Sequence, residues 1–164
     1  METHFKAVRT EDIFLISSIL THPSIFPHIC DDGCHQITNL VHPSLFWITV
    51  YDDEELLGMF FSHPHNTATY ESHTCILPNA YGTRAIQAAH TYMSWMFQNT
   101  VCQKLITNVP DYNKLAMRFA RNVGGVLEGC NRKSFLKNKV LMDQHIYGIT
   151  KEEFVCQSLL KSQP

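Results

Sequence analysis

Features that would direct a protein to a membrane or to nucleic acid are absent from this sequence. No apolar run approaches the ~20 residues that cross a bilayer, and the opening stretch METHFKAVRTED has no apolar segment of the kind found in secretory signals. The net charge at pH 7 is -2, which provides no excess of positive charge for nucleic acid or an anionic membrane. We therefore expect a cytoplasmic protein.

Signs of a second domain are also lacking. The 164 residues contain no internal repeat, no low-complexity tract and no linker rich in proline, glycine or serine. With 45% hydrophobic and 17% charged residues, the composition is that of a globular protein long enough to bury a sizeable core. We expect one domain over residues 1–164.

The six cysteines do not form the dense framework of a disulfide-rich protein. They are scattered along the chain, and without a secretory signal reduced thiols are expected. Cys75 and Cys102 lie in apolar runs and are predicted to be small core residues.

The first half of the chain is predicted to form a strand, a helix and three antiparallel strands. HFKAVR alternates as a strand does, and TEDIFLISSIL carries an apolar helical stripe that Thr10 can cap. Residues 21–36 hold two prolines and a glycine and should be irregular, with room for one short helix. LFWITVY and LLGMFFSH flank an acidic turn and predict a hairpin, and ATYESHTCIL is the third strand.

In the second half, helices alternate with strands. A largely apolar helix is predicted from Gly82 to about Thr100, followed by the strand KLITNV, which Pro110 ends. NKLAMRFARNVGG predicts a second helix stopped by Gly124. SFLKNKVLMDQHIYGI predicts two strands joined at residues 137–139, and the whole order is that of a mixed α/β domain.

One motif in the second half carries a family resemblance. NKLAMRFARNVGGVLEG is similar to the pattern N-x-x-A/S-x-x-x-x-x-x-x-G-F-x-x-E-G of the GNAT superfamily of acetyl-CoA-dependent N-acetyltransferases. The matching residues are Asn113, Ala116, Gly124, Glu128 and Gly129. The chain most resembles the branch that acetylates ribosomal-protein N-termini and small phage-encoded GNAT-like proteins.

The second motif is the turn LPNAYGTRAIQAA. In the GNAT superfamily a loop Q/R-x-x-G-x-G/A opens a helix whose backbone amides bind the pyrophosphate of coenzyme A. Here Asn79 begins the loop and Gly82 is kept. Arg84 stands where a second glycine or alanine is usual, so its side chain would crowd the phosphates or pair with one of them. Taken alone, the turn is equally a plain bend between a strand and a helix.

The resemblance implies a GNAT-like α/β domain with acetyl-CoA as cosubstrate. Its sheet would be mixed and mostly antiparallel, would splay open beside Leu77, and would carry helices on both faces. Asn113 would contact the pantetheine arm, and the amides of Ile76 and Leu77 would contact the thioester oxyanion and the pantetheine. The predicted cofactor-binding residues are Cys75, Ile76, Leu77, Tyr81, Gly82, Thr83, Arg84, Asn113 and Ala116.

Candidate catalytic residues follow from the chemistry of amine acetylation. The amine must lose a proton before it attacks, and the leaving thiolate must gain one. Glu71 lies where histone-type members carry the base, and strand alternation places His73 and Cys75 on the same face. Ala120 stands where many members carry a proton-donating tyrosine, and Tyr112 is a candidate substitute. The alternatives are a solvated carboxylate, a sheet histidine and a packing tyrosine.

A metal centre is the competing interpretation of the stretches HICDDGCH and HPH. The candidate ligands there are His28, Cys30, Cys34, His35, His63 and His65. Their spacing matches no standard zinc motif. We prefer a polar loop with incidental cysteines and histidines, and expect no metal.

Two functions of different classes remain. The first is direct acetyl transfer to a primary amine of a protein N-terminus, a lysine or a small molecule, with the acceptor held by residues 21–36 and 137–140. The second is a GNAT-like interaction or structural module without catalysis, for example in a phage particle or its assembly, which would place the protein in the virion. A homodimer is possible in either case if the last strand and EEFVCQSLL pair with a second copy.

Overall fold

The computed structural model describes residues 4–34 and 41–161. The elements in chain order are β1 (Phe5–Arg9), α1 (Ile13–Leu20), α2 (Phe26–Ile29), β2 (Phe46–Asp52), β3 (Glu55–Pro64), β4 (Thr69–Ile76), α3 (Thr83–Asn99), β5 (Lys104–Pro110), α4 (Lys114–Asn122), β6 (Val126–Lys137), β7 (Val140–Thr150) and α5 (Lys151–Lys161). The order predicted from the sequence is confirmed, and α5 is an addition to it. None of the described helices combines the length and the apolar character needed to span a membrane.

Seven strands form one mixed sheet in the order β1-β2-β3-β4-β5-β7-β6. Neighbouring strands are antiparallel except β4 and β5, which are parallel and pair only between residues 69–71 and 104–106. After Glu71, the described residues of β4 still pair with β3 but no longer pair with β5. The mixed, mostly antiparallel sheet is confirmed, and it opens toward the end of β4, next to Leu77.

Alternate residues of the strands face two separate groups of helices. Ile48 and Phe60 pack with α3 in the main core. Their neighbours Trp47 and Met59 pack with α1 on the opposite face. Helices therefore cover both faces of the sheet, as predicted.

A buried tyrosine fixes α3 on the centre of the sheet. Tyr92 stacks on Phe60 with ring centroids 4.3 Å apart. Its hydroxyl donates to Ser72 Oγ at 2.9 Å and also forms a hydrogen bond with the Ser62 hydroxyl. Desolvation raises the pKa of Tyr92, so the phenol keeps its proton. These contacts hold α3 over β3 and β4.

The cap of α1 differs from the prediction. Asp12, and not Thr10, is the N-cap: Asp12 Oδ1 accepts from the Phe14 amide at 2.9 Å and the Leu15 amide at 3.1 Å. Thr10 Oγ1 accepts the Asp12 amide instead. The aspartate at this position both satisfies unpaired amides and adds negative charge at the positive end of the helix dipole.

Pairing of the last strand, β7, and of EEFVCQSLL with a second copy stays a prediction. That strand lies between β5 and β6, and the edges of the described sheet are β1 and β6. EEFVCQSLL forms part of α5. Gln157 of α5 donates to the Gly124 carbonyl at 3.3 Å, which holds α5 against the end of α4.

Candidate active site

The candidate site lies where β4 and β5 separate, after the pair Glu71–Ile106. At the end of β4 the Leu77 amide donates to the Leu57 carbonyl of β3 at 2.9 Å. Because alternate residues of a strand direct their amides to opposite sides, the Ile76 amide is directed to the side that β5 leaves. Of the two amides predicted to meet the cosubstrate, the Ile76 amide faces the opening and the Leu77 amide is already paired.

Gly82 opens α3 in a conformation that suits glycine. Its φ is 90°, a region that L side chains rarely adopt. A Cβ built on Gly82 meets no heavy atom within 4 Å, and within the described chain no side chain caps this helix start. Neighbouring Tyr81 is 55% exposed, and Thr83 is the first helical residue. The first amides of α3 therefore border open space, which is the arrangement that binds anions at helix starts.

Arg84 is held by two acidic side chains and by the loop that precedes α3. Its guanidinium donates to Asp52 Oδ2 at 3.1 Å, to Glu55 Oε2 at 2.6 Å and to the Asn79 carbonyl at 3.1 Å. Asn79 donates to Glu55 Oε1 at 2.7 Å, and the bonds from Arg84 and then Asn79 lower the pKa of Glu55. The acidic β2–β3 turn thus holds the Arg84 side chain, and that this side chain crowds the phosphates or pairs with one of them stays a prediction.

Gly58 of β3 shapes the same region, although the sequence analysis did not single it out. Its φ is 146°, and a Cβ there would lie 2.4 Å from the Cys75 carbonyl oxygen and 2.8 Å from Ile76 Cα. The β2–β3 register shifts beside it. A glycine inside an apolar strand is the sequence signal for such a close approach.

The side chain of Cys75 faces the other way from the opening. It is packed with α1, and burial raises its pKa to about 12. Only the backbone of Cys75 is therefore placed to meet a ligand beside β4.

On the sheet face opposite α3, Glu71 meets polar side chains from three strands. Its Oε1 accepts from Asn108 Nδ2 of β5 at 3.0 Å and lies 3.9 Å from His73 Nε2. His73 Nε2 is 3.2 Å from Nε2 of His63, which is directly opposite Glu71 in the β3–β4 register. Glu71 and His73 share a face, as the alternation predicts. His63 and Asn108 were not predicted as neighbours of Glu71, and the length of the β3–β4 turn is the sequence signal that locates His63.

The surroundings of His73 favour its neutral form. Desolvation lowers the pKa of His73 below its usual 6.5; the Glu71 carboxylate raises it, and His63 lowers it further. The His73 side chain is still 44% exposed, against 18% for Glu71. A neutral imidazole that reaches solvent beside a carboxylate can pass a proton outward.

The predicted site residues at the start of α4, Asn113 and Tyr112, make contacts within the fold itself. Asn113 Oδ1 accepts the Ala116 amide at 3.0 Å and caps the helix. Tyr112 lies against Phe135, with ring centroids 6.3 Å apart, and burial raises the pKa of Tyr112. The Tyr112 hydroxyl has no hydrogen-bond partner among the described residues.

A second such tyrosine lies against Ala120, where the resemblance to the GNAT superfamily implies a proton-donating tyrosine in many members. Tyr147 of β7 is 1% exposed and packs with Ala120, Val109 and Met117 beneath α4. Its hydroxyl likewise finds no hydrogen-bond partner in the part of the chain that is described. The sequence shows only a tyrosine in an apolar strand, so this contact with Ala120 could not be read from it.

A cleft of about 410 Å³ lies beside Glu71 on the same face. Asn108, which holds Glu71, is part of its wall. The complete lining is His65, Asn66, Thr69, Lys104, Ile106, Asn108, Glu128, Asn131 and Ile146. Lys104 pairs with Glu128 at 2.7 Å, so the two charges of the cleft balance.

The two segments predicted to hold the acceptor are joined to each other. Asp32 accepts from the amides of Asn138 at 2.8 Å and Lys139 at 2.6 Å. Lys137 Nζ donates to the Cys30 carbonyl at 2.6 Å. Residues 35 and 36 of the first segment lie outside the described residues.

The stretch HICDDGCH does not assemble with HPH in the described part of the chain. Cys30 Sγ and Cys34 Sγ are 2.8 Å apart, and burial, followed by the neighbouring Cys34, raises the pKa of Cys30 to about 12. His35 lies outside the described residues. The described side chains that come together as possible metal ligands are instead His63, Glu71 and His73.

Solved structures similar to this one are N-acetyltransferases. A chimera of Vibrio cholerae spermidine N-acetyltransferase SpeG and hSSAT has a TM-score of 0.75 at 16% identity, covering 94% of this chain and 99% of its own. The V. cholerae enzyme in complex with CoA and spermine has a TM-score of 0.74 at 16% identity, with 94% and 98% covered. An aminoglycoside N(6')acetyltransferase from Legionella pneumophila has 0.73 at 16% identity, with 96% and 98% covered. At these identities the likeness shows the GNAT fold.

Sequence comparison places the chain in a family without an assigned activity. No curated protein sequence matches it. The model of the family described as "Protein of unknown function (DUF2824)" matches residues 8–161. The chain therefore belongs to the DUF2824 family, and its fold is that of the GNAT acetyltransferases.

Proposed function

We propose that this protein is an acetyl-CoA-dependent N-acetyltransferase that transfers an acetyl group directly to a primary amine. The observation that carries the proposal is the separation of β4 from β5 after Glu71 and Ile106, beside the open helix start at Gly82. Neighbours with this fold are a spermidine and an aminoglycoside acetyltransferase, and one was solved with CoA and spermine.

The residues around the opening fit an acyl-CoA. The amides at Gly82 and Thr83 would hold the pyrophosphate, because a helix start attracts anions. The Ile76 amide would donate to the thioester oxygen and stabilise the charge that develops there. Asn113 and Ala116, at the start of α4, would border the pantetheine arm.

Glu71 would take the proton that the amine loses, directly or through a water. Asn108 fixes the carboxylate by its bond to Oε1, and the neutral His73 ring would pass the proton on toward solvent. The amine nitrogen then bonds to the acetyl carbon, the carbon–sulfur bond breaks, and the thiolate takes up a proton. Tyr147 and Tyr112 are the two candidates for that last donation, since each has a buried hydroxyl without a partner among the described residues.

The acceptor amine would bind on the sheet face that carries Glu71. The cleft at Asn108 and the contact of Asp32 with the β6–β7 turn lie on this side of the chain. A polyamine, an aminoglycoside, a lysine and a protein N-terminus all present the required group, and each belongs in an acceptor screen.

Calorimetric titration with acetyl-CoA tests the cosubstrate site. We expect micromolar binding, about -8 kcal/mol, to the wild type and to Gly82→Ala, and none to Gly82→Trp. Both variants strain the same backbone angle, and only tryptophan fills the open space, so alanine is the matched control. Absence of binding to the wild type, or equal binding to both variants, contradicts the site.

Arg84→Gly tests whether the guanidinium closes the loop. Because Asp52 and Glu55 already hold Arg84, we expect this variant to bind acetyl-CoA with nearly the wild-type affinity. Binding by Arg84→Gly alone would mean that the loop of the wild type is closed.

The second candidate function is an interaction or structural module with the GNAT fold, for example in a phage particle or its assembly. Ala120 in place of the family's tyrosine and the paired amide of Leu77 favour it. A wild type that acetylates no amine in the screen, whether or not it binds acetyl-CoA, supports this candidate.

A further inference from the structure

We propose that His63, Glu71 and His73 form a binding site for a zinc ion on the sheet face opposite α3. The side chains come from the adjacent strands β3 and β4, and their ligand atoms all lie within 4.8 Å of one another. Two imidazoles and one carboxylate are a donor set that zinc accepts, with a water molecule in the fourth position. Ion binding at this cluster does not depend on acetyl transfer.

The separations of the ligand atoms suit a tetrahedral ion. Two nitrogens bound to one zinc at about 2.1 Å are about 3.4 Å apart, and Nε2 of His63 and Nε2 of His73 are 3.2 Å apart. Glu71 Oε1 is 3.9 Å from His73 Nε2, and all three ligand atoms lie within 4.8 Å of one another, so a carboxylate movement of about 1 Å completes the arrangement. Without an ion, one shared proton joins the two nitrogens, and zinc would replace that proton.

The sheet and its neighbours hold the ligands in place. His63 is opposite Glu71 in the register, and His73 follows Glu71 by two residues on the same face. The Phe61 ring centroid is 5.6 Å from that of each histidine. Asn108 donates to Glu71 Oε1 at 3.0 Å, which is the kind of outer hydrogen bond that ligating carboxylates usually have.

Charge and access also favour a cation. Within the described residues, the basic side chain that pairs with Glu71 is His73; no lysine or arginine of that part of the chain forms an ion pair with this carboxylate. An imidazole binds a metal ion through a ring nitrogen lone pair, and Nε2 of His73 already lies beside Nε2 of His63. The exposed His73 side chain gives an ion a path from solvent.

Zinc at this site would occupy the carboxylate that we propose as the base. Ion binding and proton transfer by Glu71 would then exclude each other. This consequence rests on the proposed function, whereas ion binding itself does not.

Cobalt titration of the metal-free, untagged protein tests the site, because cobalt reports its ligands by its visible spectrum. We expect a four-coordinate spectrum from a single ion per chain, displacement by zinc, and no binding of magnesium, which prefers oxygen ligands. A cobalt–thiolate absorption band would place the ion at the cysteines, for example Cys30 and Cys34, and would overturn the proposal.

Variants locate the ion. We expect His63→Gln and His73→Gln each to weaken cobalt binding by about 100-fold or more and Asn108→Ala by about 10-fold. His65→Gln, an exposed histidine on the adjoining turn, is the matched control and should bind as the wild type does. Circular dichroism checks that each variant is folded. A wild type that binds no cobalt, or equal affinity of His73→Gln and His65→Gln, overturns the proposal.

The result of the cobalt titration is independent of the result of the acetyl-CoA titration. Cobalt binding is measured without acetyl-CoA, so a protein that fails to bind acetyl-CoA can still bind the ion, and the reverse also holds. If acetyl transfer is observed, zinc should inhibit it and EDTA should restore it, with no change in acetyl-CoA affinity.

Discussion

Glu71 depends on side chains that lie far from it in the sequence. Asn108 donates to it from β5, and His63 faces it from β3. Truncating Glu71 would leave the Asn108 amide without this partner, so an alanine variant would mix a structural cost with a chemical one. Glutamine keeps the acceptor oxygen and removes only the ability to take up a proton.

For Glu71→Gln we expect the rate of acetyl transfer to fall by about 100-fold or more while acetyl-CoA affinity stays at the wild-type level. Initial rates and calorimetry measure the two quantities. Glu54→Gln, which changes a carboxylate that is 97% exposed in the β2–β3 turn, is the control. Similar rates for the two variants would exclude Glu71 as the base.

The roles of the two buried tyrosine hydroxyls, those of Tyr147 and Tyr112, can each be tested with a variant that removes the hydroxyl alone. Because neither hydroxyl has a hydrogen-bond partner among the described residues, Tyr147→Phe and Tyr112→Phe should leave the thermal midpoint nearly unchanged or raise it. The variant that lacks the proton donor should lose about 100-fold in rate. Full activity in both variants would show that a solvent molecule protonates the thiolate.

At the scale of elements, the loop after α1 is fastened to the β6–β7 turn through Asp32. The amides of Lys139 and Asn138 lower the pKa of Asp32. The native state therefore gains stability from the ionised carboxylate above its usual value of 3.8, and this gain is lost as the pH falls through the lowered pKa.

We predict that Asp32→Asn loosens this contact at neutral pH, because the neutral amide offers a single oxygen acceptor for two backbone amides. Hydrogen exchange should become faster in residues 21–34 and 137–140 and stay unchanged in α3. Asp31→Asn is the control, since among the described residues the Asp31 carboxylate accepts within its own turn, from the Gly33 amide at 2.9 Å. Equal exchange in the two variants would show that Asp32 does not hold the loop.

The elements with a clear local pattern were the predictable ones. The hairpin of β2 and β3 follows from alternation on either side of an acidic turn, and α3 from its broad apolar surface. The first part of β6, from Val126 to Lys133, was missed because polar residues interrupt its apolar ones and most of the segment is exposed on an edge strand. Helix α5 was not predicted, although Val155, Cys156, Leu159 and Leu160 recur at helical spacing.

At the scale of the molecule, the stability of the fold should depend on the ionisation of His73. In the native state the pKa of His73 is lowered, whereas in the unfolded chain it has its usual value of 6.5. At pH values between the two, the unfolded chain binds a proton at His73 and the native state does not. Stability is therefore fully present above pH 6.5 and decreases as the pH falls toward the native pKa. His63 and Glu71 are the titratable side chains that face the same ring among the described residues.

Urea unfolding at a series of pH values in the presence of EDTA measures this effect. We expect the wild type and His65→Gln to lose stability below pH 6.5 more steeply than His73→Gln. Identical slopes for His73→Gln and the wild type would show that the His73 ring is not desolvated in solution.

The succession of elements from β1 to β7, the glycine that opens α3 and the common face of Glu71 and His73 were determined by the sequence alone. Each depends on residues a few positions apart, whose spacing sets the local conformation. The tertiary structure decided the opening between β4 and β5, the contacts of Glu71 with His63 and Asn108, the packing of Tyr147 on Ala120 and the turning of Arg84 toward Asp52 and Glu55. These contacts join residues on different elements, and their distances exist only once the sheet order has made those elements neighbours.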